Sequence, residues 1–262
     1  MLKNNIIIII SGLILFATWQ MSVSFSKSKN SFPEKKSSAS RVKYNADEIV
    51  NIKIFSQNKV QSLTFSADAG IYSVWANGVE IVNTEKFPLI KFTYNNDSVE
   101  VKTFENIIGK YKRVKISSPN FVKSFRLKLI LPDRKPRFYE DNLYISTEAG
   151  DLKCVNEISL DNYIAGVVQA ESGRRSFQEF YKVQAILART FALSHLQKHV
   201  TENFNLCDHT HCQAYFGKTT ELDIMKAVTD TKGKVVVDDN LNLIDAAFHS
   251  NSGGQTANSE DV

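Results

Sequence analysis

The hydrophobic period of the chain changes at Ser159, and no other feature limits the possible folds as much. Upstream, apolar and polar residues alternate, as in Asn51-Ile52-Lys53-Ile54-Phe55. A period of two marks strands with one buried face. Turn residues interrupt the alternation at Asn77-Gly78, Asn95-Asn96-Asp97 and Ala149-Gly150, each between two strand-like runs. Asn and Gly accept the positive φ that tight hairpin turns demand. Downstream of Ser159, Leu160, Ile164, Val167 and Val168 recur at helical spacing, with Ser159 as N-cap and Gly173 as stop. A second helix is expected from the capping-box pattern Ser176-Phe177-Gln178-Glu179 to about His199. Its Ala185-Ile186-Leu187-Ala188 stretch is apolar around much of the circumference, which predicts a buried central helix. A third helix is expected from Thr220 to Lys232, stopping at Gly233, followed by a hairpin over 235–248. The expected fold class is α+β. A strand-rich N-terminal module (48–158) leads into a mixed helix/strand part (159–262).

The N-terminal segment carries information about location. Residues 4–26 hold no charge, and Ile6 to about Phe25 is apolar enough to be a signal peptide or a membrane anchor. Residues 27–47 are rich in Ser and Lys and read as a flexible linker. The chain is therefore expected to be exported to the cell envelope. The net charge of +4 comes from basic residues spread along the chain, so no nucleic-acid partner is expected.

Four features could carry chemistry. Glu171 lies seven residues after Ile164 and three after Val168, which puts it on the apolar stripe of the first helix. It also falls in the last turn, at the negative end of the helix dipole, so desolvation and the dipole both favour its protonated form. A protonated Glu in a half-apolar cleft is what a general acid for glycosidic cleavage requires. Arg189 sits in a helix too apolar to treat it as surface decoration, where it either pairs with a carboxylate or holds a substrate anion. The run His249-Ser250-Asn251-Ser252-Gly253 offers hydroxyls and backbone donors suited to a sugar or a phosphate. Finally, Cys207, His211 and Cys212 supply three metal-type ligands within six positions. Zinc in a structural site takes four, and His195, His199 and His209 are near in sequence. In an oxidising compartment a Cys207–Cys212 disulfide is the alternative. Cys154, in Leu152-Lys153-Cys154-Val155, reads as a small buried strand residue.

Taken in order, Leu160–Glu171, Val183–Leu193, Cys207–Tyr215, Ala247–Gly254 and Asn258–Val262 resemble the stage II sporulation protein D family (SpoIID/LytB). The resemblance implies a peptidoglycan substrate and either of two activities. One is a lytic transglycosylase that cuts glycan strands between MurNAc and GlcNAc. The other is a non-catalytic enhancer of an N-acetylmuramoyl-L-alanine amidase, with that amidase as partner. The family's catalytic glutamate falls on Glu171, and its metal motif on Cys207, His211 and Cys212, with His199 as the upstream histidine holding a structural zinc. No cofactor is implied for the chemistry itself. Arg189, Gln213, Tyr215, His249, Ser250, Ser252 and Gly253 are the expected substrate-binding residues. Two departures stand out. Glu171-Ser172-Gly173 replaces the family's Glu-Met-Pro, and the family domain usually continues beyond Asn258–Val262, so a truncated cleft is expected.

Overall fold

The computed structural model describes residues 48–246. The expected signal or anchor (1–26), the linker (27–47) and His249, Ser250, Ser252 and Gly253 lie outside the described residues. No helix among the described residues is long and apolar enough to cross a membrane.

The alternating half folds as strands β1 (Ile49–Ile54), β2 (Ser62–Ala69), β3 (Ser73–Ala76), β4 (Val79–Asn83), β5 (Ile90–Tyr94), β6 (Val99–Lys102), β7 (Ile107–Tyr111), β8 (Arg113–Ser117), β9 (Ser124–Leu131), β10 (Arg137–Glu140), β11 (Asn142–Glu148) and β12 (Asp151–Ser159). The turn residues act as expected. Asn77 and Gly78 (φ 52° and 80°), Asn96 and Asp97 (48° and 54°), and Ala149 and Gly150 (50° and 88°) place two consecutive residues at positive φ, the signature of a type I′ hairpin.

The helical half contributes α1 (Leu160–Ser172), α2 (Gln178–Ser194), α3 (Leu222–Asp230) and a two-residue strand β13 (Leu206–Cys207). One sheet runs β13-β1-β12-β11-β8-β3-β4 and the other β10-β9-β2-β5-β6-β7. β1 pairs antiparallel with β12 and parallel with β13, so Lys53 stands in register with Cys207. The strand-rich and helical parts of the sequence are thus stitched into one sheet rather than set side by side.

A row of rings links that sheet system to the helices. Phe65 and Phe125 stack at 5.1 Å, Phe125 and Tyr139 at 5.8 Å, and the row continues through Tyr215 to Tyr163 of α1. Offset and tilted pairs at such separations add to what simple burial contributes.

Ser159 caps α1 as expected, its Oγ accepting from the N–H of Asn162, and Gly173 ends the helix at φ 67°. The capping box does not form. α2 begins at Gln178 with Phe177 in the cap position, and the N–H of Ser176 donates instead to Tyr181 Oη. α2 also ends earlier, at Ser194. It is not a buried central helix: Phe180 is 42% exposed and Val183 53%. Its inward face sets three small residues, Ala185, Ala188 and Ala192, among the buried Tyr181, Arg189 and Thr190. Small residues let α1 and α3 approach closely, and the bulkier Ile186 and Leu187 fall at the margins, half-buried. Among the described residues, the hairpin expected after α3 shows one bridge, between Val237 and Leu243.

Candidate functional site

The last turn of α1, the C-terminal end of α2 and the loop after β13 enclose a cleft of about 370 Å³. Glu171, Phe191, His195, Lys198, Gln213 and Asp245 are on its walls, together with His211 and Cys212. Glu171 is half-buried, as its position at the end of the apolar stripe requires. The N–H of Ala214 donates to its Oε1 at 2.9 Å, which fixes the carboxyl against the loop that follows the cysteines. Gly166 makes that approach possible. A Cβ there would stand 2.5 Å from both Gly217 O and the Tyr215 ring.

His199, Cys207, His211 and Cys212 bring four ligand atoms within 4.8 Å of one another. Cys212 Sγ lies 3.6 Å from His199 Nε2, and His211 Nδ1 lies 3.8 Å from each sulfur. Two thiols and two imidazoles are the donor set of a closed four-coordinate site. His199 turns its other nitrogen, Nδ1, to Glu202 Oε1 at 2.6 Å and stacks on Phe204. A carboxylate behind a ligating imidazole fixes its tautomer and raises its basicity. His195 and His209 stay out of this group. Cys207 and Cys212 are both free, so the disulfide alternative is not formed. The contact between them pulls the Cys207 thiol well below its ordinary range and pushes Cys212 up. Cys154 is buried and unreactive, its thiol pushed up to about 12 by desolvation.

Residues 148–237 match the stage II sporulation protein family, SpoIID. That stretch holds Glu171 and all four cluster residues. This segment is a SpoIID domain. An uncharacterized protein of Brachyspira hyodysenteriae is also similar, 31% identical over 110 residues. The alignment covers 41% of this chain and 30% of the relative, so the chain spans under a third of that protein's length.

Not every expected substrate contact lies on the cleft of the SpoIID domain. Arg189 is 0% exposed, and both terminal nitrogens of its guanidinium are engaged inside the protein. It meets Asp161 at 3.1 Å and donates to the carbonyls of Val228, Thr231 and Lys234. It thus joins an acid in the first turn of α1 to the carbonyl end of α3, complementing both helix dipoles. A guanidinium enclosed in this way cannot reach a substrate, so the expected binding role is corrected to a clamp. Tyr215 is likewise enclosed, donating its hydroxyl to Asn156 Oδ1 at 3.1 Å within the aromatic row. It supports the cleft from beneath and does not line it. Gln213 does line it, and is held by Tyr163 Oη and by the carbonyl of Ala188, each at 3.3 Å.

Asp208 is the residue that the motif reading passes over. Its buried carboxylate accepts from the N–H groups of Phe55 and Ser56, from Ser56 Oγ, and from Arg137. It ties the loop between Cys207 and Cys212 to the end of β1, where Phe55 adopts φ 58°. An Asp beside a Cys carries no sequence signal for that contact.

Proposed function

We propose that this chain is an exported lytic transglycosylase of peptidoglycan, with Glu171 as its single general acid and base. The observation that carries the reading is Glu171 itself: half-buried, oriented through one carboxylate oxygen by Ala214, and lining a cleft in a SpoIID domain. The second oxygen is then the one to meet a glycosidic linkage. Protonated Glu171 gives its proton to the oxygen leaving C1 of MurNAc, and the C1–O bond breaks. The C6 hydroxyl of the same sugar attacks C1, and its proton passes to the Glu171 carboxylate. A 1,6-anhydro ring closes and the acid is restored. The substrate supplies its own nucleophile, so the second carboxylate of a hydrolase is not needed.

A zinc ion held by His199, Cys207, His211 and Cys212 belongs to the same proposal as a structural element. Four protein ligands leave no open position for a catalytic water. The metal's contribution is to hold the loop carrying Gln213 and Ala214 against α1.

The test is mass spectrometry of digests of purified peptidoglycan. Wild-type protein is expected to release anhydro-muropeptides and Glu171→Gln to release none. A folded wild type that releases none overturns the enzyme reading and leaves the other family activity, enhancement of a cell-wall amidase. Stimulation of a purified amidase by both wild type and Glu171→Gln would then identify it.

A further inference from the structure

We propose that His195 and Asp245 form a sugar-positioning pair in the Glu171 cleft, taking a pyranose ring that carries hydroxyl and acetamido groups. The inference rests on the glycan-cleaving reading of that cleft. Both residues line the same cleft as Glu171, and neither belongs to the cysteine–histidine cluster.

The geometry has three parts. The His195 ring stacks on Phe191 with centroids 4.1 Å apart and planes at 16°. Its Nδ1 lies 3.0 Å from the carbonyl of Phe191, one helical turn back, and 2.9 Å from Ser194 Oγ. The imidazole is therefore locked by a stack and a backbone contact, with Nδ1 spent internally. Nε2 remains, and it faces Asp245 Oδ1 at 4.0 Å. That separation is too long for a direct hydrogen bond. With Nδ1–H given to the Phe191 carbonyl, Nε2 and Asp245 Oδ1 are both acceptors, and they suit two neighbouring hydroxyls of one ring, each donating to one of them at about 2.8 Å.

The two residues also differ in a way that suits binding rather than folding. The His195 side chain is 26% exposed and Asp245 71%. An ion pair this open and this long contributes little to stability. A flat apolar surface beside an acceptor-only carboxylate matches a sugar ring, which offers C–H groups on its faces and O–H or N–H donors at its rim. Asp245 follows the Val237–Leu243 bridge, and Ile244 donates back to the carbonyl of Val236, so the carboxylate is carried on a tethered segment. His195, just past the end of α2, is the fixed half of the pair, and Asp245 is the adjustable half.

The test separates binding from chemistry. In a Glu171→Gln background, the probe is an N-acetylglucosamine tetrasaccharide, followed by calorimetry. Adding His195→Ala or Asp245→Asn is expected to weaken binding about tenfold, the size of one or two lost hydrogen bonds, with the melting temperature unchanged. With Glu171 intact and peptidoglycan as substrate, the same changes should raise KM while kcat stays within about twofold, the pattern of lost uniform binding. His195→Gln, which keeps a polar tip without the ring stack, provides a second folded variant. The proposal is overturned if the parent does not bind the tetrasaccharide, if the variants bind as the parent does, or if kcat falls while KM holds. If binding follows the expected order but wild type releases no anhydro products, the transglycosylase reading fails and the positioning pair stands.

Discussion

The backbone N–H of Ala214 donates to Glu171 Oε1 at 2.9 Å. Ala214 is two residues beyond Cys212, so the loop that bears the cysteine–histidine cluster is also the loop that aims the carboxyl. The contact does not need a charge on Glu171, only an acceptor oxygen. Chemistry and support meet in one hydrogen bond, and the two can be separated by choice of substitution.

Glu171→Gln keeps an acceptor for Ala214 and removes the proton. It is expected to abolish release of anhydro-muropeptides, by at least about 100-fold as general-acid catalysis implies, with the melting temperature unchanged. Glu171→Ala removes both, and should additionally cost about 1 kcal/mol of stability for the lost hydrogen bond. Thermal denaturation alongside the activity assay checks the pair. Equal stability of the two variants would mean that Ala214 does not hold Glu171 in solution.

Arg189→Met is expected to destabilise the fold by about 3 kcal/mol or more, as removal of one partner of a buried, hydrogen-bonded charge does. The carbonyls of Val228, Thr231 and Lys234, in and just after α3, lose this donor, and Asp161 loses its buried partner. Arg189→Lys should rescue little, because an ammonium cannot reproduce the fork that spans both helices. Urea denaturation measures it. A stable Arg189→Met protein that loses only glycan affinity would restore the substrate-binding role.

These contacts also show what the sequence discloses and what it hides. Hairpin turns are legible because Asn77-Gly78 and Asn96-Asp97 need only local backbone chemistry. The stripe that carries Glu171 is legible because helix phase is a local count. Arg189 is different, since Asp161 lies 28 residues away in sequence and the carbonyls it reaches lie 39 to 45 away. No spacing rule pairs them, and its placement in an apolar helix fits clamp and ligand equally. Tyr215 misleads for a related reason. It shares a motif with Gln213, yet the chain turns it into the aromatic row while Gln213 faces the cleft. Asp208 is hidden by its neighbours, because ligand-type residues on either side draw attention from a carboxylate that anchors β1.

Gly217→Ala should be among the most damaging single changes outside the charged core. The residue sits at φ 110°, and a Cβ there would stand 2.1 Å from the carbonyl oxygen of Phe138. That neighbour is backbone in β10 and cannot swing aside. Loss of about 3 kcal/mol is expected from the clash and the strained φ together. Because Lys218 donates to the same Phe138 carbonyl, the loop beyond Tyr215 should detach from β10 first. Amide hydrogen exchange checks this: protection should fall at Lys218 before it falls in β12. Uniform loss across the sheet would mean that the loop has no independent part in the effect.

The metal prediction turns on order of failure. Purified protein is expected to carry zinc at about one ion per chain, as a closed four-ligand site would. Cys207→Ser should lose it and melt lower by about 10 °C, the shift that roughly 3 kcal/mol produces in a domain of this size. Activity assayed well below the new melting point should stay near that of wild type, because the cluster supports the loop behind Ala214 and takes no part in proton transfer. A chelator should reproduce the stability loss in wild type and leave Cys207→Ser unaffected. His199→Gln, which keeps both thiols, should fall between the two. Activity that vanishes on metal removal while the melting temperature holds would place the metal in the reaction and overturn the structural role.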